Sequence, residues 1–148
     1  MRRLALPVLL LAVFAARPAP AQTAADSAAV RAAVLDYIEG LYGVDTARVD
    51  RSVSPELVKR SVGRFQDTGR EYLRPMSKDV LLNVAATFNR AGATPRDARR
   101  EVTILDMMDR TATVRLVASE WVDYMHLARL NGRWLIVNVL WQDLPGGS

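Results

Sequence analysis

The segment "EWVDYMHLARLNGRWLIVNVLW", residues 120–141, gathers two carboxylates, a phenol, an imidazole, two amides and all three tryptophans. These side chains suit proton transfer or an aromatic ligand. A carboxylate or imidazole can act as base, a phenol or amide can hydrogen-bond a ligand, and indole faces can wall an apolar pocket. Asp123, Tyr124, His126 and Asn138 are the polar candidates here, Trp121 and Trp141 the aromatic ones, and Tyr37 adds a phenol from far upstream. No pair among them forms a recognisable catalytic motif, so they are ligand-binding candidates and no catalytic residue is assigned.

Strand parity decides which of them can meet. On a regular strand over 121–130, Tyr124, His126, Ala128 and Leu130 share one face, and Asp123, Met125, Leu127 and Arg129 share the other. A simple Asp123–His126 dyad is therefore disfavoured unless a bulge intervenes. On the second arm, Trp134, Ile136, Asn138 and Leu140 alternate with Leu135, Val137, Val139 and Trp141. Both faces are largely apolar, more than a half-solvated sheet requires. Helices are expected on one and a second copy of the chain on the other, with cover by the chain's own loops as the competing reading. The aromatic residues and the lone histidine also admit a plain alternative as core or interface groups.

The elements that must hold these residues follow from periodicity. Val30, Val34, Tyr37, Ile38 and Leu41 recur at spacings of three and four, predicting a helix over 23–43 with Asp26 as its cap and Gly43 as its stop. A short helix is expected after Asp45, limited by Pro55, and a third over "KDVLLNVAATF" capped by Ser77 or Asp79. The intervening "PELVKRSVGRFQDTGREYLRPM" shows no sustained period and reads as loops with one or two short strands. From Arg100 the pattern becomes that of strands, and Asn131-Gly132 is a strong hairpin signal because both turn positions need positive φ. Helices followed by a meander of strands predict an α+β domain with helices on a mainly antiparallel sheet.

The first 21 residues run from arginines through an apolar stretch, Leu4 to Ala16, to the small-residue sequence Ala19-Pro20-Ala21. This is the order of a secretory signal peptide cut after Ala21, leaving one domain over 22–148. The apolar run is shorter than the roughly 20 residues that span a bilayer. Export is expected, to a bacterial periplasm by default, with no membrane attachment after cleavage. Cleavage removes Arg2, Arg3 and Arg17, so 17 of the 20 basic side chains remain against 16 acidic ones, a net charge of about +1. That balance does not suit nucleic acid, which requires a clustered basic excess. With one histidine and no cysteine, neither a metal nor a cofactor is expected. Nucleophile-elbow, Walker and dinucleotide motifs are absent.

The helix "VLDYIEGLYGVDTARV", then "PELVKR", "REYLRPMSKDVL" and above all "WVDYMHLARLNGRWLIVNVLW" resemble the nuclear-transport-factor-2-like superfamily, in the branch called putative lumazine-binding proteins, over about residues 27–142. The resemblance implies a cone-shaped α+β fold with a deep pocket between helices and a curved sheet. It also implies dimerisation through the open sheet face. Its members include ketosteroid isomerase and proteins without catalysis, so the fold leaves the activity open. The expectation is an exported homodimer that binds a small apolar or aromatic molecule without transforming it. Against it stand an isomerase or lyase of the ketosteroid isomerase type and a structural, protein-binding dimer.

Overall fold

The computed structural model describes residues 24–95 and 97–145. The expected signal peptide, residues 1–21, lies outside them. Among the described residues no helix is long and apolar enough to cross a membrane.

The first helix, α1 (Ala24–Gly43), buries Val30, Ala33, Val34, Tyr37, Ile38 and Leu41 along one stripe, as their spacing requires. Asp26 is not its cap. It lies in the first turn, where its carboxylate pairs with Arg129 at 3.3 Å and accepts from the Trp134 indole at 3.4 Å. Tertiary partners thus take the group that local logic assigned to the helix end. The second helix, α2 (Thr46–Ser52), starts as expected: the Asp45 side chain accepts from the Arg48 backbone N–H. Gly40 allows α1 and α2 to touch, because a Cβ there would sit 2.6 Å from a Val49 methyl.

Residues 55–76 do contain two strands, but these are longer than the short strands among loops that the sequence suggests, and only residues 65–70 are loop. Strand β1 (Val53–Arg64) follows α2 without a break, and β2 (Glu71–Ser77) pairs with it in antiparallel register from Val58↔Ser77 to Arg64↔Glu71. From Leu57 onward strand β1 does alternate, but the inward residues of that run, Leu57, Lys59 and Ser61, are only one-third apolar, which hid the period. The third helix, α3 (Lys78–Ala85), is capped by Ser77 and gives way to turns before Phe88.

Strands β3 (Arg100–Met107), β4 (Thr111–Ala118), β5 (Trp121–Leu130) and β6 (Arg133–Asp143) form the expected meander. The hairpin turn places Asn131 at φ 49° and Gly132 at φ 79°, the pair of positive values that Asn-Gly supplies most easily. The six strands lie in the order β2-β1-β6-β5-β4-β3, antiparallel except for β1 beside β6. Helix α1 packs over β3, β4 and β6, while α3 covers β1 and β2. The fold is α+β, a curved, mainly antiparallel sheet with its helices on one face.

One irregularity alters the predicted parity. On β6, Asn138 faces His126 but Ile136 faces Leu127, so Val137 is an extra residue. Before it, Trp134 and Ile136 point to the helices. After it, Val139 and Trp141 do, and Asn138 and Leu140 turn to the outer face. Trp134, Ile136, Asn138 and Leu140 therefore do not share a face as regular alternation predicts.

Candidate functional site

Where α3 rises from the sheet, the inner face is incompletely filled. A cavity of about 270 Å³ remains, with Tyr37, Leu41, Lys59, Leu81 and Trp121 deep within it and Phe88, Glu120 and Asp143 at its mouth. Met76, Val84 and Trp141 complete the wall. Most of this lining is aliphatic or aromatic, as a small-molecule cavity requires.

The polar groups at its base come from α1, β1 and β5. Lys59, inward on β1 and 5% exposed, donates to the Tyr37 hydroxyl at 2.8 Å and to Asp123 Oδ1 at 2.5 Å. Asp123, inward on β5 and fully buried, receives the Trp121 indole N–H on its other oxygen at 2.7 Å. The Lys59 nitrogen also lies 4.9 Å from the centre of the Trp141 ring, and the Arg74 guanidinium lies 5.5 Å from that ring. Each carboxylate oxygen has a strong donor, so this buried charge pair is compensated.

Burial sets the protonation of these groups. Desolvation lowers the Lys59 ammonium from its ordinary 10.5, and the neighbouring Asp123 charge opposes this without reversing it. Desolvation also raises the Tyr37 hydroxyl well above 10.0, reinforced by the Asp123 charge and hydrogen bond. Tyr37 is therefore a protonated hydroxyl at neutral pH.

The candidates from the sequence fall into two groups. Tyr37, Trp121 and Trp141 line the cavity, and Asp123 lies directly behind Lys59. Tyr124, His126 and Asn138 do not join them: all three point to the outer face of the sheet. There Asn138 accepts from Arg60 at 3.0 Å and its amide nitrogen lies 3.2 Å from His126 Nδ1. Parity sends Tyr124 and His126 outward, as alternation predicts, and the Val137 bulge sends Asn138 with them. Lys59 was missed by sequence reasoning. The available signal was a lysine at an inward position between Leu57 and Ser61, in a stretch whose strand character went unrecognised.

Residues 25–142 match the model of a protein family described as "Putative lumazine-binding". The chain belongs to this family. No curated protein matches it. Its fold is that of nuclear-transport-factor-2-like proteins. One of unknown function from Shewanella baltica superposes with a TM-score of 0.64 at 16% identity, over 82% of this chain and 96% of the other. Another, from Methylobacillus flagellatus, gives 0.62 at 12% identity over 82% and 94%. A ketosteroid isomerase-like protein from Erwinia carotovora gives 0.55 at 16% identity over 79% and 95%. At these identities the likeness concerns the fold alone. Among the described residues no group of three or more histidine, aspartate or glutamate side chains is placed to hold a metal ion.

Proposed function

We propose that the protein is an exported, homodimeric member of its family that binds one small aromatic or apolar molecule without turning it over. The observation that carries this reading is the cavity of about 270 Å³, apolar in its walls and provided with a single charged donor, Lys59, at its base. Ligand sites commonly combine such walls with a few fixed polar groups, and this volume suits a small ligand. The family's description supports the same reading.

The non-catalytic part rests on the disposition of the candidate bases. Both oxygens of Asp123 are engaged, by Lys59 and Trp121, and His126 lies on the other side of the sheet. A ketosteroid isomerase-type reaction needs a carboxylate or imidazole facing the substrate carbon; neither Asp123 nor His126 stands there, and the two carboxylates of the lining, Glu120 and Asp143, lie at the mouth. The dimer rests on Val62, Leu73, Tyr124 and Leu140, an exposed apolar group on the outer face.

Native mass spectrometry of the protein isolated from its own host tests these points together. A dimer carrying a stoichiometric small molecule is the expected result and weighs the ligand directly. Repeated isolation without ligand, together with no binding of small aromatic compounds, would sink the binding reading. A monomer at micromolar concentration, unchanged by Leu140→Glu, would sink the dimer.

A further inference from the structure

The chain contains 18 arginines and only two lysines, Lys59 and Lys78. Arginine is the usual choice for a buried ion pair, because its planar fork pairs with both carboxylate oxygens and its charge is permanent. Yet the cation placed against the fully buried Asp123 is a lysine, and that residue is part of the cavity lining. A primary amine does two things that a guanidinium does not: it loses its proton readily when desolvated, and its free lone pair adds to carbonyl carbon. Lys78 has neither the burial nor the cavity; it pairs with Asp50 at 2.8 Å and donates to that residue's backbone carbonyl.

We propose that Lys59 captures aldehyde or ketone ligands as a Schiff base at the base of the cavity, with Asp123 as proton acceptor and counter-ion and Tyr37 as hydrogen-bond donor to the carbonyl oxygen. This rests on the cavity being a ligand site, and it names the ligand class as carbonyl compounds with an aromatic or apolar body.

The positions suit each step. The ammonium passes one proton to Asp123, 2.5 Å away, which frees the nitrogen lone pair. That pair forms a C–N bond to the carbonyl carbon. The carbonyl π electrons become an oxygen lone pair, which takes a proton released by the nitrogen through the Tyr37 hydroxyl, 2.8 Å from that nitrogen, to give the carbinolamine. Asp123 then returns its proton to the carbinolamine hydroxyl, the C–O bond breaks, water leaves, and the nitrogen pair forms C=N. The product is a protonated imine beside the Asp123 carboxylate. Net charge is unchanged, one water is released, and no oxidant or reductant takes part. Burial lowers the lysine and thereby favours the first step, and the raised Tyr37 hydroxyl retains the proton it shares. The apolar lining limits return of water to the imine.

Benzaldehyde tests the proposal on the full chain. The protein is incubated with it, reduced with borohydride, digested and mapped by mass spectrometry, with binding followed in parallel by tryptophan fluorescence. Benzyl alcohol, the same ring without the carbonyl, is the non-covalent control. The expected result is an N-benzyl adduct on Lys59 at an aldehyde concentration at least about tenfold below that needed for Lys78, a small part of what proximity within a complex can contribute. Adduct formation on Lys78 or the N-terminus as readily as on Lys59 would overturn the proposal, as would no adduct at all. Lys59→Arg, which keeps the charge, should lose the adduct while retaining benzyl alcohol binding. If both compounds bind and neither labels Lys59, carbonyl capture fails and the binding function stands. If neither binds, the cavity itself is not a site for such molecules.

Discussion

The two faces of strand β5 carry equally polar residues to opposite ends. Inward, Asp123 is fully buried and joined to Lys59 and Trp121; outward, one and three positions further on, Tyr124 and His126 are exposed. The types alone suggested that the outward pair was at least as suited to chemistry. What separates them is the environment. The inner aspartate and lysine lie where water is excluded, so their contacts are strong and the cost of breaking them is high. The outer imidazole and phenol are exposed to solvent, and their contacts contribute little to the stability of the single chain.

That contrast is broken most severely at Asp123. Asp123→Ala leaves the Lys59 ammonium buried without its counter-charge and should cost about 3–5 kcal/mol in urea unfolding. Removing both charges together, as Lys59→Met with Asp123→Leu, should recover most of that loss, since a well-packed apolar pair often equals a buried ion pair. A double variant no better than Asp123→Ala would show that the pair itself is not the source of the cost.

Next in size is the neighbouring apolar position. Met125→Ala, fully buried on the inner face, should destabilise by about 2–5 kcal/mol, whereas Tyr124→Ala, one residue away, should stay within about 0.5 kcal/mol for the single chain. Comparable losses at the two sites would contradict the assigned parity.

Tyr37→Phe should cost about 1–3 kcal/mol by removing one hydrogen-bond partner of Lys59, and it should also alter the alkaline limb of stability. The folded Tyr37 hydroxyl is raised above its unfolded value of 10.0. Its contribution is complete below pH 10.0 and is lost as pH climbs beyond, where the unfolded chain has released a proton that the folded chain keeps. Lys59 has the opposite sign. Because its folded value is lowered, the unfolded chain binds more protons over the window ending near 10.5, so stability rises with pH there. Unfolding curves collected across this range should lose the fall above pH 10.0 in Tyr37→Phe and lose the preceding rise in Lys59→Met.

The smallest effect is expected at His126→Ala, within about 0.5 kcal/mol for the single chain, because the partner left behind, Asn138, still accepts from Arg60. Loss of bound ligand in this variant would place the histidine in a role that the inner cavity does not explain.

Local signals were enough for much of the fold. The spacing in α1, the Asp45 and Ser77 caps, the alternation of Ala112, Val114, Leu116 and Ala118, and the Asn131-Gly132 turn each specify an element from a few consecutive residues. The opposite parity of Asp123 and His126 was legible for the same reason. The alternating run of strand β1 was not, because two of its inward residues, Lys59 and Ser61, are polar and are accommodated only by partners distant in the chain. Lys59 meets Asp123 from 64 residues away, and Ser61 receives the Arg74 guanidinium from the next strand. Nor was Asp26, whose ties to Arg129 and Trp134 cross most of the chain.

Short-range periodicity and turn chemistry thus suffice for helices, hairpin and the faces of regular strands, because these depend on backbone sterics and on neighbours within a few residues. The site depends on register between strands. The extra residue at Val137 sends Asn138 outward and brings Trp141 inward, and the pairing of β1 beside β6 sets Lys59 under that indole. A register is an agreement between two segments, and a buried charge is stable only where its partner arrives. Both are properties of the folded chain, decided when distant segments pack and exclude water.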